Sequence, residues 1–151
     1  MKTVLQKMLL LVVALVRVEA CTASDYHQRV EQAETSAQHA VCEAEALPPV
    51  LPWPQYEQFR TLALEDANDA RIAADRASMF ASCADVAWKA YSYQMVLKAT
   101  NQAYYPSRLE KAKTTYDNYV AKTLSLCDEA EYDAKASLQQ TANCRILLGD
   151  Q

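Results

Sequence analysis

Residues 63–84 read ALEDANDARIAADRASMFASCA, and alanine recurs in this stretch at alternating spacings of three and four residues. That spacing places one residue type along a single face of a helix, as in the seam of a coiled coil. The seam consists of Ala63, Ala67, Ala70, Ala74, Ala77, Ala81 and Ala84, and Trp88, Tyr91 and Met95 continue it. Alanine is the best helix former, so the stretch predicts a long helix packed closely against its neighbours.

Prolines divide the rest of the chain into helical segments. Four of the five prolines lie between Pro48 and Pro54, the fifth is Pro106, and the single glycine is Gly149. The uninterrupted segments are about 24–47, 55–104 and 107–148, and each shows helical periodicity. We therefore expect an all-α fold, an antiparallel bundle of three long helices.

The helix ends and the length of the second helix add further expectations. Ser107 to Glu110 has the form of a capping box, as does Thr22 to Asp25, and Gly149 suits the left-handed residue after a helix. The second helix would be about 75 Å long at 1.5 Å per residue. A break near residue 82 would make the bundle four-helical.

The other two segments carry small residues that would face the seam. On the third segment these are Ala130, Ala134, Ser137 and Thr141, and on the first they are Ala33, Ala37, Ala40 and Ala44. Each alanine buries little surface, and burial contributes only about 25 cal/mol per Å². The core is therefore thin, and covalent crosslinks are expected to stabilise it.

The N-terminus has the pattern of a secretory signal peptide. Lys2 and Lys7 form a basic segment, and a continuous apolar run, Met8–Val16, follows it. Val18 and Ala20 supply the small residues needed for cleavage. The run is shorter than the roughly 20 apolar residues that span a bilayer. An uncleaved anchor and a lipoprotein signal remain minor alternatives. The sequence predicts an extracellular protein.

Residues 1–20 are thus expected to be removed, and 21–151 to form one α-helical domain. The formal net charge of −4 becomes −6 without the signal segment. An acidic secreted domain is a poor candidate for binding nucleic acid or an anionic membrane surface. We expect a soluble extracellular partner instead.

The cysteines are widely spaced along the chain: Cys21, Cys42, Cys83, Cys127 and Cys144. In an oxidising compartment five cysteines predict two disulfides with one thiol left over. Folding the hairpin about Tyr105 places Cys83 opposite Cys127, which leaves Cys42 to pair with Cys144. The rival arrangement joins Cys21 to Cys127 and leaves Cys83 free.

Catalytic and metal-binding patterns are missing from the sequence. His27 and His39 are separated by twelve positions without a third ligand at metal spacing, and one glycine cannot form a phosphate-binding loop. Adjacent acids such as Glu65 and Asp66 are typical of a solvated helix face. We expect neither an enzyme nor a bound cofactor.

Charge and aromatic residues are segregated along the predicted hairpin. Residues 86–122 contain six bases and two acids, a local charge of +4, and seven of the eleven tyrosines and tryptophans. Tyrosine, tryptophan and arginine are the residues that dominate protein-binding hot spots. Trp88 and Tyr91 continue the seam with Tyr116 facing them, so those rings are expected in the core. The candidate partner-binding residues are Tyr93, Tyr104, Tyr105, Arg108, Lys111, Lys113 and Tyr119.

The layout of signal peptide, alanine-rich helical chain and widely spaced cysteines resembles a mosquito salivary family that includes anophensin and albicin. The resemblance implies an all-helical protein with two disulfides that inhibits host complement or the contact pathway, with a host plasma protein as partner. It rests on layout, without a diagnostic motif, and assigns no binding residue. The alternatives are a carrier that encloses a small amphiphile, and a structural or seminal secreted protein.

Overall fold

The computed structural model describes residues 25–49 and 51–149. Within these ranges the fold is all-α and contains no strand. Helix α1 covers residues 25–45, α2 is Pro54–Ala99 and α3 is Pro106–Leu148. The predicted signal peptide, Cys21 and the capping box that begins at Thr22 lie outside the described residues.

Helix α2 is continuous, so the three-helix form of the predicted bundle is confirmed and the break near residue 82 is wrong. The second helix ends at Ala99, earlier than expected. Residues 100–105 then connect it to α3, and Asn101 within the connection has a positive φ of 54°. An alanine-rich helix has no reason to break at Ser82 when its whole seam is buried against neighbouring helices.

The two ends of α3 differ in how well the sequence predicted them. The capping box at Ser107 is wrong, because the N-cap is the extended residue Tyr105 and no side chain caps the helix. Pro106 occupies the first turn, where its fixed φ is already helical and its missing N–H costs nothing. Gly149 has a φ of 79° in the left-handed region, as predicted.

The alanine seam forms the core. All seven seam alanines of α2 are at most 3% exposed, and Ala73 and Ala87 are buried beside them. The predicted facing residues on α1 and α3 are also buried, including Ser137 and Thr141. Larger side chains fill the spaces between the small ones, with Tyr26, Tyr56 and Leu126 fully enclosed.

Helices α2 and α3 are antiparallel, but their register differs from the predicted one. Ser137 Oγ donates a hydrogen bond to the Ala63 carbonyl at 2.7 Å, and Cys144 Sγ lies 3.8 Å from the Tyr56 carbonyl oxygen. Folding about Tyr105 would place residue 147 opposite Ala63. The observed register is therefore displaced by about ten residues, or roughly 15 Å along the helix.

Helix α1 runs parallel to α3 and antiparallel to α2. Arg29 donates to Asp128 at 2.6 Å near the start of α1, and Arg145 donates to Glu43 near its end. Tyr26 donates its hydroxyl hydrogen to Asp85 of α2 at 2.5 Å. The described part of α1 therefore covers the hairpin from its open end up to about the level of Asp85.

Candidate partner-binding end of the hairpin

The connection between α2 and α3 is hydrogen-bonded at both ends. The backbone N–H of Gln102 donates to Leu97 at 3.0 Å, and that of Arg108 donates to Tyr105 at 2.9 Å. This leaves Tyr104 half-buried and Tyr105 60% exposed at the end of the hairpin. The turn therefore presents one aromatic ring to solvent on an ordered backbone.

Tyr105 and Arg108 contact each other. The Arg108 guanidinium carbon lies 4.7 Å from the centroid of the Tyr105 ring, within the range of a cation–π interaction. Their spacing of three residues brings both to the same side of the first turn of α3. Lys111 follows one turn later and is exposed. We call Tyr104, Tyr105, Arg108 and Lys111 the turn surface.

An open groove of about 260 Å³ lies beside the turn surface, between α2 and α3. Alanines form its apolar part, while Arg108 and Lys111 contribute cationic groups. The groove is lined by Ala87, Ala90, Arg108, Lys111, Ala112 and Thr115. An apolar floor beside two cations suits an acidic protein segment that also carries an aliphatic side chain.

Three of the predicted binding residues lie elsewhere. Lys113 is bound to Asp117 at 2.5 Å on its own helix. Tyr119 is half-buried, with its ring 6.1 Å from that of Phe80, so it contributes to packing between helices. Tyr93 is 61% exposed on α2, on the outward face of that helix rather than at the turn.

The remaining aromatic residues of the hairpin form a core cluster. The Trp88 ring lies 5.7 Å from Tyr91 and 5.2 Å from Tyr116, and Tyr91 and Tyr116 are stacked at 6.3 Å. These separations are typical of favourable aromatic pairs. The sequence-based expectation that Trp88 and Tyr91 continue the seam opposite Tyr116 is confirmed.

The predicted disulfide between Cys83 and Cys127 does not fit the helix register. Cys127 is level with about residue 73 of α2, so Cys83 is about ten residues, or roughly 15 Å, further along. A disulfide needs Cα atoms about 5.5 Å apart. In the structure the four described cysteines are all free thiols.

Cys42 and Cys144, which were predicted to form a disulfide, lie at the same height along their helices, but their side chains point in different directions. Ala40 and Ala44 are fully buried, and Cys42 is rotated by about 200° from each, so it is exposed. Its sulfur accepts a hydrogen bond from Gln38 at 3.3 Å. Cys144 is fully buried and directed at Tyr56 of α2. Joining the two sulfurs would require α1 to rotate.

Burial affects the two inner thiols. It raises the pKa of the Cys127 thiol, an effect that Arg29 opposes and the nearby acids, including Glu34 of α1, reinforce. Burial likewise raises the pKa of the Cys144 thiol. Thiolate is the reactive form, so neither group is prepared for nucleophilic chemistry.

A polar contact between α1 and α2 escaped the sequence analysis. Asp85 accepts a hydrogen bond from Tyr26, and His27 Nε2 lies 2.8 Å from the same carboxylate oxygen. Burial, and then the bond to Asp85, raises the pKa of the Tyr26 hydroxyl. No pattern in the sequence pairs residues almost sixty positions apart, so only the packed structure could identify this contact.

The cavity between α1 and α2 gives little room for an enclosed ligand, and a larger hollow of about 470 Å³ beside Pro54 and Leu62 is open to solvent. The cavity between α1 and α2 measures about 80 Å³ and is lined by Val41, Glu45, Leu64, Ala67, Asn68 and Arg71. Ligand sites usually measure roughly 300–1,000 Å³. Over residues 25–49 and 51–149, no group of His, Cys, Asp or Glu is arranged to hold a metal ion.

Comparison with known proteins gives no assignment: no protein-family model, curated protein or solved structure matches the chain. Of the helices described here, none is both long and apolar enough to cross a bilayer.

Proposed function

We propose that this chain is a secreted, non-catalytic binding protein that docks its turn surface on an acidic patch of a soluble extracellular protein. The resemblance in layout to salivary inhibitors suggests components of host complement or the contact pathway as partners. The proposal includes removal of residues 1–20 on secretion. The observation that carries it is the Arg108 guanidinium lying over the exposed Tyr105 ring.

This pair is suited to binding because it is already ordered. A side chain that is fixed before association loses less conformational entropy when a partner arrives. The Arg108 guanidinium already contacts the Tyr105 ring, and the connection beneath it is hydrogen-bonded at both ends. Tyrosine and arginine are also the residues that most often anchor interfaces.

The charge around the turn favours an acidic partner. Residues 86–122 carry a net charge of +4 on a chain that is acidic as a whole. Exposed bases at the rim of an interface mainly raise the association rate, and salt weakens that effect. Lys111, which is exposed beside the groove, should therefore steer association more than it slows dissociation.

Secretion would also allow disulfides to form. The pairing of Cys21 with Cys127 remains a proposal, and it is supported by the orientation of Cys127. Arg29 of α1 contacts Glu131, which lies one helical turn after Cys127, so Cys127 lies on the side of α3 that faces α1. That arrangement would leave Cys83 without an intramolecular partner.

The function is tested in plasma by measuring complement lysis of erythrocytes and kallikrein generation after contact activation. We expect the protein to inhibit at least one of these, and Tyr105→Ala to weaken inhibition by about tenfold or more, the loss expected for an anchoring tyrosine. Lys111→Glu should slow the onset of inhibition, most strongly at low salt.

Two variants serve as controls. Lys135→Glu reverses the same charge on an exposed site of α3 far from the turn, and should inhibit like the original protein. Tyr119→Ala removes a packed ring and should lower the melting temperature without reducing inhibition of the folded protein. Lack of inhibition by the original protein in both assays would refute the inhibitor proposal. Full activity of Tyr105→Ala would refute the role of the turn surface.

A further inference from the structure

The outward face of α2 carries large apolar residues at regular intervals of seven. Ile72, Met79, Val86 and Tyr93 are 43%, 55%, 67% and 61% exposed. We call these four residues the outer stripe. A seven-residue repeat keeps side chains on one side of a helix and is the pattern by which helices pair. A solvated face is normally polar, so an aligned apolar row marks an interaction surface.

We propose that a second copy of this chain covers the outer stripe, with the two α2 helices antiparallel about a two-fold axis. The positions of the four stripe residues suit this arrangement, because they are arranged symmetrically about a midpoint between Ser82 and Cys83. An antiparallel pair centred there places Ile72 against Tyr93 of the second copy. It likewise places Met79 against Val86 of the second copy, so every stripe residue meets an apolar side chain.

Charge complementarity supports the antiparallel direction. Asp75 and Lys89 flank the outer stripe on the same side and lie at nearly equal distances before and after its midpoint. In an antiparallel two-fold pair, flanking residues on one side meet residues on that same side of the other copy. Asp75 therefore meets the second copy's Lys89, and Lys89 meets the second copy's Asp75, so the dimer contains this contact twice. A parallel pair would instead set each flank against the opposite flank of the second copy, so the contact between Asp75 and Lys89 would not form.

Both charged groups are accessible for such contacts. The Asp75 side chain is 67% exposed, and its contact with Arg71 of its own helix is long, at 3.4 Å. Lys89 is exposed. These are solvated pairs at the rim of an apolar strip, so they set the register of the antiparallel pair more than they add affinity.

The size of the surface indicates a reversible dimer. The outer stripe is about 32 Å long at 1.5 Å per residue, and one helix pair buries less than the roughly 800 Å² per partner of a standard interface. We therefore expect association at micromolar concentrations rather than an obligate dimer.

The half-buried thiol of Cys83 provides a test of the proposed antiparallel dimer. It lies on the other flank of the stripe, next to the midpoint, so the proposed pair brings it opposite the second copy's Cys83. Glutathione disulfide would accept the two electrons of the two thiols. One disulfide then forms between the copies, and two molecules of reduced glutathione are released, which carry the two protons of the Cys83 thiols.

The first experiment measures the mass of the reduced full chain by sedimentation equilibrium between about 1 and 200 µM. We expect a monomer–dimer equilibrium, which Asp75→Lys and Lys89→Asp should each weaken by about tenfold or more. The combined variant Asp75→Lys, Lys89→Asp restores opposite charges across the two-fold and should recover the dimer. Glu129→Lys, an equal charge change on an exposed site of α3, should leave it unchanged.

The second experiment incubates the same protein with reduced and oxidised glutathione and identifies the crosslinked peptides by mass spectrometry. A disulfide between two Cys83 peptides is expected, retained in Cys42→Ser and lost on Val86→Glu, which places a charge in the stripe. A monomer at every concentration would overturn the proposal and leave the stripe to another protein. So would a dimer whose crosslinks involve Cys42 alone, or a dimer that the charge reversals do not affect.

The turn surface and the outer stripe are tested separately. Tyr105 and Lys111 take no part in the proposed dimer, and neither Asp75 nor Val86 belongs to the turn surface. Loss of dimerisation therefore leaves the plasma assays unaffected, and loss of inhibition in Tyr105→Ala leaves the sedimentation result unaffected. Either proposal can fail while the other stands.

Discussion

Ser137 of α3 donates its hydroxyl hydrogen to the backbone carbonyl of Ala63 in α2 at 2.7 Å. Both residues are fully buried, and each belongs to the small-residue face of its helix. The bond therefore crosses the buried interface and connects a specific residue of α3 with a specific residue of α2. Among the polar contacts of the seam, it is the one that most directly fixes the register.

Replacing Ser137 with alanine should lower the free energy of unfolding by about 0.5–1.5 kcal/mol, the usual net contribution of such a bond. The Ala63 carbonyl keeps its intrahelical bond, so the loss stays moderate. Urea unfolding of both proteins measures the change. Ser125→Ala, on an exposed site of the same helix, should be nearly neutral, and an equal loss there would contradict the role assigned to Ser137.

A larger side chain in the seam should be unfavourable. Ala74 is 2% exposed at the α2 seam, so Ala74→Leu adds atoms where helices are already in contact, a change that typically costs about 1–3 kcal/mol. Ala121→Leu introduces the same side chain on an exposed site of α3 and should hardly alter the melting temperature. Equal losses at both sites would show that the seam tolerates expansion.

The seam itself could be predicted because burial of a helix face imposes periodicity on the sequence. Its register could not, since a row of alanines looks nearly the same after a shift of three, four or seven residues. The residues that distinguish registers are the exceptions to the row, such as Ser137 opposite Ala63 and Tyr116 opposite Trp88. Their pairing depends on side-chain contacts across the interface.

The candidate site was predicted in part for a related reason. Tyr105, Arg108 and Lys111 follow the turn directly, so their position depends mainly on where α2 ends and α3 begins. The contact of Lys113 with Asp117 is an i,i+4 pair within α3, which the sequence spacing already indicates. The role of Tyr119 depends on rotation about the helix axis, which brings its ring to Phe80 of α2. Composition alone does not contain that rotation.

The four described thiols should differ in reactivity. In the reduced protein, Cys42 is exposed and Cys83 half-buried, whereas burial encloses Cys127 and Cys144 and raises their pKa. Alkylation at pH 8 should therefore modify Cys42 first, then Cys83, and the two inner thiols only as fast as the protein opens. Timed mass spectrometry gives the order. Rapid modification of Cys144 before Cys42 would contradict the orientation of α1.

Two carboxyl groups should make the protein less stable as the pH rises. Asp66 of α2 and Asp133 of α3 are half-buried, and burial raises the pKa of both from the ordinary 3.8. Neighbouring acids add to the effect, with Asp69 acting on both groups. The folded state therefore binds protons more tightly than the unfolded state. Their contribution to stability is largest below pH 3.8 and declines as the pH rises through the folded-state pKa.

Asp66→Asn and Asp133→Asn should accordingly raise the free energy of unfolding at pH 7 and change it much less near pH 3.5, where the original carboxyls are mostly protonated in both states. Urea unfolding at several pH values between 3.5 and 7 measures the difference. Glu31→Gln is the control, because this carboxyl lies on an exposed site of α1, away from the turn surface and the outer stripe. A stabilisation by Asp66→Asn that is the same at pH 3.5 and pH 7 would mean that the amide packs better than the acid, and that the raised pKa does not contribute.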